Sequence, residues 1–173
     1  MNYIKDIKLK ENDIYNVIIE IPKGTNKKFE LEDKTFDKLN CVRKVKGKYP
    51  FEYGCFPQTH AGDNDPLDAI LLSKRKYNCL DIVKVQPFAV IKTIDNGEVD
   101  DKVLVIACDE EINLVKLYKK VFKFLKTYKG KTSNTVIDEK LYDVSEAIKI
   151  INQANEDFNK LNKIKQEKIK FIF

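Results

Sequence analysis

The N-terminal part of the chain alternates between short apolar segments and turn sequences. Six segments are rich in Val, Ile, Leu or Phe, which favours β-strands. They cover residues 14–22, 28–32, 39–45, 67–73, 81–94 and 102–108. Pro22 closes the first segment, and turn sequences such as Asp95-Asn96-Gly97 separate several of the others. We therefore expect this part of the chain to form a β-sheet.

The spacing of apolar residues changes after this region. Apolar side chains across residues 114–125 recur every three or four positions, which places them on one face of a helix. Residues 144–158 fit a second helix, and Asp143 with Glu146 resembles a capping box at its start. The basic tail, residues 163–173, either extends this helix, covers a neighbouring subunit or frays. Strands followed by helices predict an α+β fold, with helices packed on an antiparallel sheet or a small barrel.

The composition is typical of one soluble domain. The 173 residues are 43% hydrophobic and 34% charged, without an internal repeat or a flexible linker, so we expect a single domain over residues 1–173. The first residues lack the apolar stretch of a secretory signal, and the longest apolar run, 103–108, is too short to cross a membrane. We therefore expect a cytoplasmic protein with no membrane partner and with its four cysteines reduced.

The available ligands restrict the kind of metal. His60 is the only histidine and the cysteines form no Cys-x-x-Cys pair, so a zinc, copper or non-haem iron site is not expected. Any bound metal should be a hard ion held by oxygen ligands. The net charge of +5 is compatible with nucleic-acid binding, but the lysines are spread along the chain, which is typical of a solvated surface.

The acidic segment at 63–68, Asp-Asn-Asp-Pro-Leu-Asp, is the strongest candidate for a metal site. It places three carboxylates directly after Gly62 and before an apolar strand, and Pro66 stiffens the turn. Such a cluster of oxygen ligands suits Mg²⁺ or Ca²⁺, although it lacks the central Gly and the final Glu of an EF-hand loop. The alternative is an ordinary polar turn.

Three further groups also have two interpretations each. Residues 95–102 hold four carboxylates and a lysine, or form an exposed hairpin. Arg43 and residues 49–54 bring donors and aromatics, or form a β-segment with core aromatics. Residues 128–130, Tyr-Lys-Gly, either supply two hydrogen-bond donors to a site or simply end the first helix with a glycine. Together, these groups offer carboxylates for divalent ions and donors for phosphate oxygens, a combination that suits phosphoryl transfer. The sequence has neither a P-loop nor a kinase motif.

The acidic segment also carries a family resemblance. Residues 63–69 match D-[SGDN]-D-[PE]-[LIVMF]-D-[LIVMGAC] at every position, and the chain thereby resembles the soluble family I inorganic pyrophosphatases. Other motifs of that family occur in the same order along the chain. They are Glu20 in E-I-P, Lys28-Phe29-Glu30 in K-[FY]-E, Arg43, Tyr49 to Gly54 in Y-P-x-x-Y-G, Asp95, Asp100 and Lys102 in D-x-x-x-x-D-x-K, and Tyr128-Lys129.

The resemblance implies a fold and an activity. The fold would be a distorted five-stranded, OB-like β-barrel with two helices packed outside. The activity would be Mg²⁺-dependent hydrolysis of pyrophosphate to two orthophosphates by a metal-activated water, which keeps pyrophosphate-releasing biosynthetic reactions running forward. Roughly three or four Mg²⁺ per active site would accompany the substrate. The chain would form a homo-oligomer, with a hexamer favoured over a dimer at this length.

The same resemblance assigns roles to residues of this chain. Asp65 would orient and deprotonate the attacking water. The metal ligands would be Asp63, Asp68, Asp95 and Asp100, with Glu20 and Glu30 in the outer metal and water network. The substrate contacts would be Lys28, Arg43, Tyr49, Tyr53, Lys102, Tyr128 and Lys129.

Two other classes of protein compete with this interpretation. A non-catalytic nucleic-acid-binding barrel would use a basic groove lined with aromatics, but here those groups share their site with seven carboxylates, which would repel a phosphate backbone. An inactive scaffold that only binds partners would not need every matched residue. We therefore expect pyrophosphate as the ligand and no nucleic-acid partner.

Overall fold

The structure, a computed structural model, describes residues 1–32, 35–112, 114–129 and 134–170. In these residues there are ten strands and three helices. The strands are β1 (Lys10–Glu11), β2 (Ile14–Ile21), β3 (Lys27–Leu31), β4 (Leu39–Lys44), β5 (Glu52–Cys55), β6 (Asp68–Leu72), β7 (Ile82–Asp95), β8 (Glu98–Val99), β9 (Lys102–Ala107) and β10 (Thr135–Tyr142). The helices are α1 (Tyr3–Asp6), α2 (Leu114–Leu125) and α3 (Val144–Lys170).

Five of the strands close into a barrel. β2 pairs with β5, β5 with β6, β6 with β9 and β9 with β7, and β7 returns to β2. All of these pairings are antiparallel except the one between β6 and β9. β7 spans 14 residues, so its first part reaches β2 and its last part pairs with β8 and β10 outside the ring. The five-stranded barrel implied by the family resemblance is confirmed, and one long strand makes it uneven.

The strands β3 and β4 pair only with each other and form a two-stranded sheet separate from the barrel in the described residues. We call this pair the ribbon. Both strands are predicted from the sequence, but their separation from the main sheet is not. The side chains of β4 are mostly exposed, and the ribbon packs on the apolar clusters of the barrel through only a few residues, which are Phe29, Leu31 and Leu39.

Four strands lie outside the six predicted segments: the two-residue strands β1 and β8, and the longer strands β5 and β10. β5 has only four residues, one of them Gly54, so it is too short to show a periodic pattern. β10 is an exposed strand at the end of the sheet, and its register shifts between Ile137 and Leu141, where three charged residues interrupt the apolar sequence. A bulged, half-exposed strand does not produce the regular alternation on which strand prediction depends.

Both helices predicted from the apolar spacing are present. α2 ends at Leu125, and Tyr128 and Lys129 follow it in a turn. Gly130, predicted to end this helix, lies outside the described residues. α3 continues to Lys170, so the basic tail extends the last helix as far as the structure describes it. In the described part of the chain, no helix combines the length and the apolar character needed to cross a membrane.

The two long helices cover opposite faces of the barrel sheet. Neighbouring residues of β6 point to opposite faces, so Leu71 belongs to the apolar cluster that contains Ile151 of α3, and Ile70 to the cluster that contains Val121 of α2. The start of α3 is capped by Asp143, whose Oδ1 accepts a hydrogen bond of 3.2 Å from the backbone N of Glu146.

Gly54 allows β2 and β5 to approach each other closely. A Cβ atom at this position would lie 1.9 Å from the carbonyl oxygen of Ile18. We predict that Gly54→Ala lowers the free energy of unfolding by about 3 kcal/mol or more, because the clash is with backbone rather than with a side chain that can rotate. Gly47→Ala is the control, since Gly47 has open space but a φ of +84°, which costs about 1–2 kcal/mol for alanine. Denaturant unfolding of both variants is the measurement, and equal losses would contradict the prediction.

Candidate active site

A polar cavity of about 230 Å³ lies between the barrel and the ribbon. All but two of the site residues predicted from the sequence line it. They are Glu20, Lys28, Glu30, Tyr53, Asp63, Asp65, Asp68, Asp95, Asp100, Lys102, Tyr128 and Lys129. The fold therefore brings together motifs that are spread over more than a hundred positions of the sequence.

The two remaining predicted residues, Arg43 and Tyr49, do not line the cavity. The Arg43 guanidinium carbon lies 5.8 Å from the ring centre of Tyr128, and Arg43 pairs with Lys28 across the ribbon. Tyr49 is buried, with its ring centre 5.9 Å from that of Tyr53 and 6.2 Å from that of Tyr128. Tyr49 therefore supports two tyrosines of the cavity wall instead of lining it.

The cavity also has lining residues that sequence reasoning did not assign to the site. They are Phe29, Leu31, Phe36, Cys55, Pro66 and Glu98. For Glu98 a signal was available, because a two-residue Asn-Gly turn places the residues on either side of it opposite each other. Glu98 indeed pairs with Asp95 across that turn. The apolar residues have no chemical signature, and only the fold shows that they form a wall.

Lys102 is the centre of the site. The parallel register of β6 and β9 pairs Asp68 with Lys102, so the two side chains project side by side from neighbouring strands. The Lys102 Nζ donates to Asp68 Oδ2 and to Asp100 Oδ1, and Lys102 is only 3% exposed. The Tyr53 hydroxyl donates to the same Asp68 oxygen, at 2.5 Å. A buried ammonium group needs such partners, because its transfer out of water is costly.

Lys129 forms a second cationic centre next to the first. Its Nζ lies 2.5 Å from Asp95 Oδ2 and 3.7 Å from Asp100 Oδ2. Asp95 also accepts a hydrogen bond of 2.6 Å from the Thr135 hydroxyl of β10. The turn after α2 is fixed by Tyr128, whose ring stacks on Phe124 at 4.9 Å. The two lysines thus share Asp100 and together link three carboxylates.

The acidic turn is held in shape by its own backbone. Asn64 has a φ of +70°, and the backbone N of Asp65 donates to Asp63 Oδ1 at 3.2 Å. At the end of the turn, the backbone N of Leu67 donates to the buried hydroxyl of Thr59 at 2.9 Å. These bonds hold Asp63 and Asp65 at the cavity, as the sequence of the turn predicts.

A carboxylate of the barrel accepts a hydrogen bond from the ribbon. Glu20 lies on β2 and is 8% exposed, and its Oε1 accepts a hydrogen bond of 2.9 Å from the backbone N of Leu31 at the end of β3. On the ribbon itself Lys28 forms an ion pair with Glu30. The ribbon therefore contributes both charges to the cavity, and the Glu20 carboxylate anchors one of its ends.

The crowding of acids shows in their pKa values. Burial raises the pKa of Glu20 to about 8. Burial, and then the negative charge of Asp68, raise the pKa of Asp100 to about 7. Burial opposes ionisation of Asp68 as well, but Lys102 and the Tyr53 hydroxyl hold the pKa of Asp68 below its usual value. Burial therefore favours the protonated forms of Glu20 and Asp100, while the neighbouring cation and hydroxyl favour the ionised form of Asp68.

The donor chemistry of the cavity fits a hard divalent ion. Its possible ligands are carboxylate oxygens, the ligands that Mg²⁺ and Ca²⁺ prefer. No group of three or more Asp, Glu, His or Cys side chains in the described residues is arranged around a point as a metal cage would be. The reason is visible in the ion pairs, because Lys102 and Lys129 lie between the carboxylates of Asp68, Asp95 and Asp100. A metal ion bound here would therefore compete with these lysines for the same oxygens.

Comparison with known proteins decides which family has this arrangement. The family model described as inorganic pyrophosphatase matches residues 17–159. The chain belongs to the inorganic pyrophosphatase family. The family resemblance and the hydrolase class predicted from the sequence motifs are therefore confirmed.

Relatives of this family are found in distant organisms. An inorganic pyrophosphatase of Picrophilus torridus is 31% identical over 162 residues, which cover 87% of this chain and 90% of the relative. One of Dictyostelium discoideum is 33% identical in an alignment 187 positions long, which covers 88% of this chain and 67% of the relative. The inorganic pyrophosphatase structure from Neisseria gonorrhoeae is 27% identical with a TM-score of 0.78, over 91% of this chain and 99% of that one. The one from Thermus thermophilus has a TM-score of 0.82 at 22% identity, over 92% and 99%, and shows the shared fold.

We predict that Lys102→Met destabilises the metal-free protein by about 3–5 kcal/mol, because it leaves two buried carboxylates without their cation. Mg²⁺ should stabilise this variant more than it stabilises the wild type, since the ion replaces the missing charge. Thermal unfolding in chelator and in Mg²⁺ is the measurement. The control is Lys126→Met, which removes an exposed pair with Glu139 and should change stability by less than about 1 kcal/mol. Equal losses in the two variants would show that Lys102 does not neutralise the site.

Proposed function

We propose that this chain hydrolyses pyrophosphate to two orthophosphates with Mg²⁺, and so keeps pyrophosphate-releasing biosynthetic reactions running forward. The observation that carries the proposal is the cavity between barrel and ribbon, where acidic side chains face lysines and tyrosines from two sides. Carboxylates suit the ions, and lysine, arginine and tyrosine suit the phosphate oxygens. Membership in the inorganic pyrophosphatase family supports the same substrate.

The charge of the site explains the need for metal. Eight carboxyl groups line the cavity, the seven predicted ones and Glu98, against three lysines with Arg43 next to Lys28, so acids outnumber cations before pyrophosphate adds its own charge. The ions would be held by Asp63, Asp68, Asp95 and Asp100, with Glu20 and Glu30 in the outer shell. Mg²⁺ would supply neutralisation of phosphate charge and a lower pKa for the attacking water, and we propose that roughly three or four ions bind with the substrate.

The substrate contacts come from both walls. Lys28 on the ribbon, with Arg43 next to it, faces Lys102 and Lys129 on the barrel side, so a pyrophosphate between them meets positive charge from two directions. Burial is the main cause that raises the pKa of the Tyr53 and Tyr128 hydroxyls above the usual value. They therefore remain protonated at neutral pH and can donate to phosphate oxygens, with Tyr49 packed behind them.

Asp65 is the proposed proton acceptor. It lies in the acidic turn between two proposed metal ligands, Asp63 and Asp68, and lines the cavity. The turn is fixed by the hydrogen bonds of Thr59 and Asp63 described above, so the carboxylate keeps its place during the reaction. A general base has to be held at the water that it deprotonates, and this turn provides that.

The assembly, the location and the domain count stay predictions. We propose a single domain, which the shared core of barrel and helices supports. We also propose a cytoplasmic homo-oligomer, a hexamer rather than a dimer. The four cysteines are free thiols, which agrees with a reducing compartment. Light scattering of the purified protein measures the mass of the assembly.

We expect phosphate release from pyrophosphate to require Mg²⁺ and to stop when a chelator is added, because the acidic excess repels the substrate without metal. Pyrophosphate should be hydrolysed far faster than ATP or a phosphate monoester, since the charged groups are crowded around a small cavity. A phosphate-release assay with each substrate, in Mg²⁺ and in chelator, is the measurement. Full activity in chelator, or comparable rates on ATP, would contradict the proposal.

We expect Asp65→Asn to lower turnover by about 10²–10⁴-fold, the usual contribution of a general base, because the amide keeps the shape but cannot accept the proton. Mg²⁺ affinity should change much less than in Asp68→Asn, which alters a proposed metal ligand. Steady-state kinetics and calorimetric Mg²⁺ titration of both variants test this. Near-normal turnover in Asp65→Asn, combined with weakened Mg²⁺ binding, would make Asp65 a metal ligand and not the base.

A further inference from the structure

The ribbon carries proposed substrate contacts but has no strand ladder to the barrel in the described residues. Lys28 and Arg43 face each other across it. One of its ends is held by the hydrogen bond from Leu31 to Glu20. The position of the two cations relative to the barrel therefore also depends on what holds the other end, the turn between β2 and β3.

That turn is attached to a buried carboxylate that does not line the cavity. Glu52, on β5, is 0% exposed, and its Oε2 accepts a hydrogen bond of 2.6 Å from the backbone N of Lys23. The Lys23 Nζ lies 3.8 Å from Glu52 Oε1, and it donates to the backbone carbonyls of Ser73, at 2.9 Å, and Arg75. Glu52 and Lys23 thus join three segments: β5, the turn after β2 and the loop after β6.

Backbone hydrogen bonds connect this turn to the ribbon. The backbone N of Gly24 donates to the carbonyl of Tyr49 at 2.8 Å, and the backbone N of Tyr49 donates back to Thr25 at 2.9 Å. One residue further, the carbonyl of Asn26 accepts from Val45 at 2.8 Å and continues the pairing of β3 with β4. A shift at Lys23 would therefore move Tyr49 and the end of the ribbon at which Lys27 pairs with Lys44, which we call the root of the ribbon.

Stability alone does not account for a carboxylate at this position. Glu52 Oε1 accepts no hydrogen bond from the described residues and has only the Lys23 ammonium 3.8 Å away, and a buried oxygen without a hydrogen bond is costly. An apolar residue of similar size would often be as stable or more stable than a buried charge. What an apolar residue would not provide is a directed bond to the backbone of the turn.

We propose that Glu52 is a positioning residue for substrate binding: with Lys23 it fixes the root of the ribbon and so sets the distance from Lys28 and Arg43 to the lysines of the barrel. This inference rests on the proposed function. Glu52 does not line the cavity, so its loss should weaken the binding of Mg²⁺–pyrophosphate and leave the chemical step nearly intact.

The experiment compares three variants in the phosphate-release assay. Glu52→Leu removes the bond to the turn, and its KM for Mg²⁺–pyrophosphate should rise by about tenfold, the effect of losing one hydrogen bond to a charged group. Glu52→Gln can still accept from the backbone N of Lys23, so its KM should rise by about two- to threefold, and Lys23→Met should behave similarly. In all three, kcat should stay within about threefold of the wild type.

The control separates positioning from loss of stability. Ile151→Val or Ile151→Ala, on the opposite face of the barrel, is chosen so that its melting temperature falls as much as that of Glu52→Leu. Its KM should equal that of the wild type. If Glu52→Leu does not fold, Glu52→Gln and Lys23→Met are used in its place. Both keep the hydrogen bond to the backbone of the turn, so both should fold.

The outcomes distinguish this inference from the proposed function. If the wild type releases no phosphate from pyrophosphate in Mg²⁺, the proposed function fails. If the wild type is active but the folded Glu52 and Lys23 variants keep its KM, or lose kcat instead, the positioning role is overturned and the proposed function stands. An equal rise of KM in the Ile151 control would overturn it as well.

Discussion

Lys102 occupies the position on which the site depends, because it is the buried cation between two carboxylates that would otherwise repel each other. Its location follows from the parallel pairing of β6 and β9, which places it next to Asp68. The same ammonium group binds Asp100, and Asp100 in turn is shared with Lys129. Without these lysines, packing the acidic groups around one cavity would be much less favourable in a metal-free chain.

The proposed function would give the site two states of charge. In the structure, the ammonium groups neutralise the carboxylates directly. If ions bind to those oxygens as proposed, the lysines would lose part of their attraction to them and could turn to phosphate oxygens instead. The same residues would then serve both the metal-free site and the substrate, which would account for cations and acids that alternate so closely around the cavity.

The members of the candidate site could be predicted from the sequence because they lie in short motifs. The acidic turn at 63–68, the Asp95 to Lys102 spacing and the Tyr128-Lys129 pair all meet at one cavity. The complete sheet was harder to predict, since β5 is too short and β10 too irregular to show a period. The apolar wall, the positions of Arg43 and Tyr49 away from the lining, and the separate ribbon depend on contacts between distant segments, and local patterns do not contain them.

The parallel pair of β6 and β9 has a consequence for the formation of the site. Asp68 and Lys102 are separated by 33 intervening residues, which include the long strand β7. During synthesis the acidic turn therefore emerges well before its cation. Closing a loop of that length costs more entropy than closing a local hairpin, so we expect this pair to form more slowly than the turn between β7 and β8.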